Sequence, residues 1–375
     1  MLDEASRQRD FPSLADRCYL NTAAEGIPPL PVAAALQQYF VDKSLGMDGR
    51  IPHAAHWEAL RAGASVLLGT SPDEIGLCSC SSEAFNLAAT ALRLKPGDEV
   101  VINDLDFPAG ATPWLQESCP AVVRLWRHRD GALRIEDLIP LLGPKTRFVT
   151  TSLVSFFNGY LVPLEPMIQA VRRHSDALIG VDVTQSFGRI PWHPADVDLI
   201  VSSTHKWLLG SHGGGIVAVP KRSAERWTVP AGGWFHLVDP FGPSRFERAV
   251  SRPGAVGFGV GMPNYPAVYA VRAAIDYVLD VTVEAIDRAT RPLMLRLLDE
   301  LTRLPIDLLT PAEPDSIAGI VAFRHAESDR LHRELLAERI HVMSHAGRLR
   351  IAVHGYNTEA DIDRLLMILR RSLGI

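Results

Sequence analysis

Two apolar runs joined by a polar, glycine-rich turn constrain this chain more than any other feature. They lie in DLIVSSTHKWLLGSHGGGIVAVP, Asp198 to Pro220. Leu199 to Val201 reads as a buried strand, and Gly215 to Val219 as a second. Between them stand Ser202, Ser203, Thr204, His205 and Lys206. A lysine fixed at the end of a buried strand is costly as a charge unless something neutralises it. Conversion of its amine to an imine does so chemically, which makes Lys206 a candidate Schiff-base lysine. The plain alternative is a surface lysine at a strand end.

An earlier apolar run, Ala177 to Val181, ends in Asp182 within GVDVTQS. An acid at one strand end and a lysine at a later one suit pyridoxal phosphate, which needs an amine for its aldehyde and an anion opposite its ring nitrogen. D-x-x-Q (Asp182, Gln185) followed by S-x-H-K (Ser203, His205, Lys206) resembles the class V aminotransferase family. The resemblance runs from Tyr19 to the C-terminal helix. It implies a fold type I, pyridoxal-phosphate-dependent enzyme, in a group that includes cysteine desulfurases, selenocysteine lyases, kynureninases and isopenicillin N epimerases. The implied fold class is α/β: a large domain with a mostly parallel seven-stranded sheet, plus a small α+β C-terminal domain. Strand–helix alternation through the first two thirds of the chain agrees with a parallel sheet. The expected division is 1–20 as an N-terminal segment packing with the small domain, 21–260 as the cofactor domain and 261–375 as the small domain.

The same resemblance assigns roles. Lys206 would hold the cofactor and move the Cα proton, Asp182 would keep the ring nitrogen protonated, and His205 would pack against the ring or assist. In DEIGLCSCSSEAFN, Asp73 to Asn86, a strand over Ile75 to Cys80 leads into a helix opened by Ser81 and Ser82. Serines there are N-caps on one reading. A helix N-terminus also presents free N–H groups to a phosphate, and the family pattern favours that role, with Cys80 standing where relatives have glycine. Phe107, in DLDFPAG, falls where relatives stack a ring on the cofactor. Arg350 aligns with the arginine that takes the substrate carboxylate, a task suited to a guanidinium fork; YNT (Tyr356 to Thr358) follows it. Asn21 and Ala23 lie in a turn placed near the substrate.

Two positions depart from the pattern. Phe156 replaces the asparagine that bonds the cofactor's phenolic oxygen in desulfurases, which leaves Gln185 to do so, with Ser155 and Asn158 as weaker candidates. Met262 replaces the threonine that relatives direct to the phosphate of the neighbouring subunit. Homodimerisation is implied by the resemblance alone.

The reaction type stays open. Desulfurases carry a mobile cysteine before the strand of Arg350. Here that segment, Glu338 to Arg350, holds none, and the last cysteine is Cys119. β-Elimination by a lyase on an α-amino acid is the expectation, with transamination and epimerisation as alternatives. A non-catalytic scaffold is disfavoured by the joint presence of Lys206, Asp182 and Arg350. A dinucleotide enzyme is disfavoured because the GSHGGG run precedes a strand rather than opening a helix.

The net charge of −5 argues against nucleic-acid binding. No apolar run is long enough to span a bilayer, and the polar N-terminus does not read as a signal peptide, so the cytoplasm is expected. Cys18, Cys78, Cys80 and Cys119 match no CxxC pair and no zinc pattern. His53 and His56 would share a helix face, but no third ligand follows them, so no metal is expected.

Overall fold

Seven strands form the central sheet. In spatial order they are Ile75–Cys78, Gly215–Ala218, Leu199–Ser203, Leu178–Asp182, Thr146–Ser152, Glu99–Asn103 and Val122–Trp126. The structure is a computed structural model and describes residues 2–193 and 196–375. Met1, in the expected N-terminal segment, and Pro194 and Ala195, in the expected cofactor domain, lie outside the described residues. All strands run parallel except Gly215–Ala218, which is antiparallel to both neighbours. The expected mostly parallel, seven-stranded sheet is therefore present.

The central strands are apolar on both faces because both faces are covered. Val149, Ile179, Ile200 and Ile216 join one core with Val268 and Ile275 of the Tyr265–Val281 helix. Their neighbours Phe148, Leu178, Val201 and Val217 join the opposite core with Phe85, Trp114 and Trp227. This period-two split is what a doubly covered sheet requires. Asn103, Ser152, Asp182 and Ser203 are the last residues of four parallel strands, so their side chains gather at one edge. In open α/β sheets that carboxyl edge is where ligands bind.

A second sheet is antiparallel, in the order Met343–His345, Arg348–Ala352, Ile320–Arg324, Asp307–Leu308. Val321, Phe323, Leu349 and Ile351 pack there with Leu297, Leu301, Leu335 and Leu365. The Tyr265–Val281 helix serves the large core; the Val283–Thr302 helix joins that core through Ile286 and the small one from Leu293 onward, so the change of core falls inside it. Cys18–Tyr19 pairs in parallel with Ile340–His341, and Cys18 and Leu20 enter the small core.

The YNT triplet fastens these parts. The Asn357 amide donates to the Tyr19 carbonyl (2.9 Å), the Tyr356 hydroxyl bonds Thr22, and Thr358 caps the Glu359–Leu373 helix in a capping box with Asp361. Some element bounds differ from the sequence pattern. The strand expected to reach Cys80 stops at Cys78, because Cys80 turns to become the N-cap of the Ser81–Ala91 helix. The strand expected from Ile317 begins at Ile320, after Gly319 has passed against Trp207, whose ring would lie 2.6 Å from a Cβ at that position. Among the described residues no helix is long and apolar enough to cross a membrane.

Candidate active site

A cavity of about 390 Å³ opens at the carboxyl edge of the central sheet. Its walls include Lys206, Asp182, His205, Ser203 and Gln185 from the two strand ends and the segments after them. Ser81 and Ser82 contribute from a helix start, Phe107 from a third strand end, Arg350 from the small sheet and Ala23 from the N-terminal turn. Residues spread over most of the chain thus meet in one place. Of the expected site residues, Asn21 and Met262 are not among those lining it. Asn21 bridges Ala352 through its backbone, and its Oδ1 is buried without a hydrogen-bond partner among the described residues. Met262 is 46 % exposed, in a groove it shares with Met47, His53 and Tyr265.

Lys206 follows the Leu199–Ser203 strand directly, and its position is held from the N-terminal turn. The Gly26 N–H donates to the His205 carbonyl at 2.8 Å. A Cβ on Gly26 would lie 2.0 Å from the Lys206 carbonyl oxygen, so only glycine permits this approach. The Lys206 amine has no ion-pair partner among the described residues and lies 5.1 Å from the centre of the Phe107 ring. Burial pushes its pKa down to about 8; Asp182 opposes that shift and Arg350 adds to it.

Asp182 is 3 % exposed. Its Oδ1 accepts from the Thr184 N–H at 2.8 Å, yet burial raises its pKa above the usual carboxylate range. A buried acid with one backbone partner has capacity for a cationic N–H. Arg350 is buried at 4 % exposure; its Nη1 donates to the Phe156 carbonyl at 2.8 Å, and its Nε has no partner among the described residues. Burial, reinforced by Arg348, lowers its pKa to about 10. Burial, with Lys206 and His212 beside it, lowers His205 to about 4, so the imidazole is neutral.

The Ser81–Ala91 helix has no side-chain cap at Cys80. Ser81 and Ser203 bond each other through their hydroxyls at 3.0 Å, which fixes the helix start against the lysine strand. An uncapped N-terminus facing a cavity suits a phosphate. The Phe107 ring stays 39 % exposed and meets Phe156 edge-on, at 5.0 Å and 90°.

Two residues lining the cavity, Thr184 and Ser152, and Asp106 behind them were not singled out in the sequence. Thr184 accepts from the Ser203 N–H at 2.9 Å and so ties the aspartate turn to the lysine strand. Ser152 lies opposite Asp182 in the sheet register. Its hydroxyl donates to Asp106, whose pKa burial raises to about 7, with Asp182 adding to the rise. The carboxylate just before Phe107 in DLDFP was the available signal, but only the fold brings it beside Asp182. The expected weaker candidates Ser155 and Asn158 are spent elsewhere: the Ser155 hydroxyl bonds the Leu105 carbonyl, and the Asn158 amide bonds those of Gly131 and Leu309.

The sequence profile of the aminotransferase class-V family matches residues 18–365. This chain belongs to that family. The family is pyridoxal-phosphate dependent, and this class-V protein is one of its enzymes. An uncharacterized aminotransferase, YcbU of Bacillus subtilis, is 25 % identical over 370 residues, covering 96 % of this chain and 95 % of its own. A cysteine desulfurase of Pectobacterium atrosepticum is 28 % identical over 395 residues, covering 96 % of each. Among solved structures, the apo cysteine desulfurase of Thermococcus onnurineus NA1 superposes with a TM-score of 0.89 at 20 % identity, covering 100 % of this chain and 99 % of that one. The cystine C–S lyase C-DES, solved with its product cysteine persulfide, superposes at 0.86 and 22 % identity, covering 96 % and 98 %. These likenesses establish the fold type I architecture. The cavity fits the family's cofactor: a buried amine without an ion pair, an acid with spare acceptor capacity, an open ring face and an uncapped helix start share one chamber.

Proposed function

We propose that this enzyme is a β-eliminating lyase that cleaves a C–S type bond in an α-amino acid. The carrying observation is the stretch before Arg350. It is a tight hairpin, Met343–His345 to Arg348–Ala352, turned by Ala346 and Gly347, both with positive φ as in the two-residue hairpins that need little chain. It neither carries a cysteine nor has the length of a mobile loop. Cys80 is the one cysteine lining the cavity; it sits at the helix N-cap with its sulfur 3.7 Å from the Ser79 hydroxyl. Cys18 and Cys78 are buried. A sulfur-accepting thiol is thus not presented as it is in a desulfurase, and the structural neighbour C-DES, a cystine C–S lyase, agrees with this reading.

Bound pyridoxal phosphate would draw electrons from the substrate Cα, so that a proton there becomes removable. In this reading Lys206 would hold the cofactor and, as a free amine, would take the Cα proton; its lowered pKa suits a base near neutrality. Asp182 would face the ring nitrogen, Phe107 would cover the ring, His205 would pack against the ring or assist, and Ser81, Ser82 and Ser203 would hold the phosphate. Gln185 would donate its remaining N–H to the phenolic oxygen. Arg350 receives the substrate carboxylate, with Asn21 and Ala23 shaping that end. Loss of the Cα proton and departure of the sulfur with the Cβ–S bonding pair leaves an enamine, which water converts to a keto acid and ammonia.

Homodimerisation belongs to the same proposal, as does a cytoplasmic setting, which the four free thiols support. Phe40, Val41, Leu45, Met47 and Ile51 are exposed, and Met262 shares a groove with Met47. An apolar surface of this kind marks an interface, and it would bring Met262 towards a partner's cavity.

The test is to load the protein with cofactor and supply cystine and other sulfur amino acids. Keto acid and ammonia in equal amounts, without an added acceptor, are expected. Strict dependence on an α-keto acid would overturn the lyase in favour of an aminotransferase. Racemised substrate without ammonia would make the enzyme an epimerase.

A further inference from the structure

Glu25, His205 and His212 converge at the cavity rim, and the reaction above gives no role to Glu25 or His212. Glu25 follows the Ala23–Ala24 wall, His205 precedes the lysine, and His212 stands on the turn towards the Gly215–Ala218 strand. One ligand atom from each lies within 4.8 Å of the others. His212 Nε2 is 3.2 Å from Glu25 Oε1, and the two imidazoles stack 4.3 Å apart at 18°.

The frame beneath them is fixed. Gly26, next to Glu25, is bonded to the His205 carbonyl at 2.8 Å. The Thr204 hydroxyl lies 2.9 Å from the Ser211 carbonyl and 2.5 Å from that of Gly214, which holds the turn bearing His212. Glu25 and His212 are themselves exposed, so their side chains can adjust.

We propose that Glu25, His205 and His212 form a site for one divalent transition-metal ion of the zinc type, with a fourth position open to solvent. Two imidazoles and a carboxylate are a donor set that zinc takes together with water, each donor about 2.0–2.2 Å from the ion. Donors so placed are roughly 3.3–3.5 Å apart, by tetrahedral geometry at those bond lengths. Closing from the observed spacing takes on the order of 1 Å of movement together with rotation of the exposed His212 ring out of its stack on His205, a rotamer change. A bound ion would tie the 21–26 turn to the lysine segment at the cavity rim. It therefore acts as a brake on substrate entry. The site itself does not depend on which reaction the enzyme catalyses; only the brake does.

The experiment is zinc titration by calorimetry into the cofactor-loaded protein, with cobalt(II) as the spectroscopic probe. One zinc ion per chain is expected, with visible ligand-field bands for cobalt. Affinity should fall at least tenfold in both His212→Ala and Glu25→Gln, with circular dichroism unchanged. Zinc affinity unaltered in either variant, or no binding at one ion per chain, overturns the site. A site that binds as expected while turnover is unaffected by zinc overturns the brake alone.

Discussion

The Trp207 indole N–H donates to Gln185 Oε1 at 2.6 Å, and Gln185 Nε2 in turn donates to the Ala23 carbonyl at 3.1 Å. The amide is therefore a strut between the lysine segment and the N-terminal turn, with one N–H left for the cavity. Trp207→Phe removes the donor and leaves a buried carbonyl oxygen unpaired, at a cost of about 1–3 kcal/mol. Urea unfolding should report that loss, and cofactor titration should show weaker binding. Equal stability together with equal cofactor affinity would show that the strut is idle.

The Lys206 amine is held near pKa 8 against an ordinary 10.5. Its charged form is disfavoured in the folded state, so the penalty is full below about pH 8 and fades as the pH rises towards 10.5. Lys206→Met in the cofactor-free protein should be more stable than the parent at pH 7, by about 3 kcal/mol on the linkage scale. The gain should shrink by pH 10. Denaturant titrations at the two pH values measure it, and a pH-independent difference would refute the burial argument.

Asp106 carries the opposite sign. Its pKa is raised from 3.8 to about 7, so the folded protein holds a proton that the unfolded chain releases. The cost grows as the pH rises from about 4 to 7 and is full above that. Asp106→Asn keeps the shape and removes the charge. The variant should match the parent near pH 4 and gain on it at pH 8, read from thermal unfolding at both pH values.

Arg350 has its Nη1 on the Phe156 carbonyl and its Nε free, so its remaining edge is available to an anion. Removing a charged hydrogen-bonding partner costs about 1.5–3 kcal/mol, or roughly 10–150-fold in KM. Arg350→Ala should raise KM by that amount while the absorbance of the lysine-bound cofactor survives. Lysine at the position should recover only part, because it lacks the fork.

Cys80→Ala separates lyase from desulfurase chemistry. Keto acid and ammonia formation should persist within a few-fold, since the proposed chemistry needs no thiol. Loss of sulfur release with retained cofactor absorbance would return the enzyme to desulfurase-type chemistry.

Much of this was legible in residue order. Strand ends carrying Asp182 and Lys206, the SSE helix start and the RLR strand are local patterns, because apolar periodicity and turn residues act over a few positions. Phe156 and Met262 were visible as departures for the same reason. What the order of residues could not show was which polar groups would be spent on the fold. Asn158 and Ser155 looked available and are consumed by backbone carbonyls. Asp106 had no assigned role and turns out half-buried, accepting from the Ser152 hydroxyl beside Asp182.

The chain alone thus determined the sheet, its direction and the chemical types gathered at its edge, since those follow from short-range hydrophobic pattern. Tertiary structure decided the rest: that Gly26 would press against the lysine segment, that Gln185 would be a strut, and that Glu25 would meet His212. Such pairings depend on long-range packing, in which strand order and close backbone approach set distances that sequence spacing does not encode.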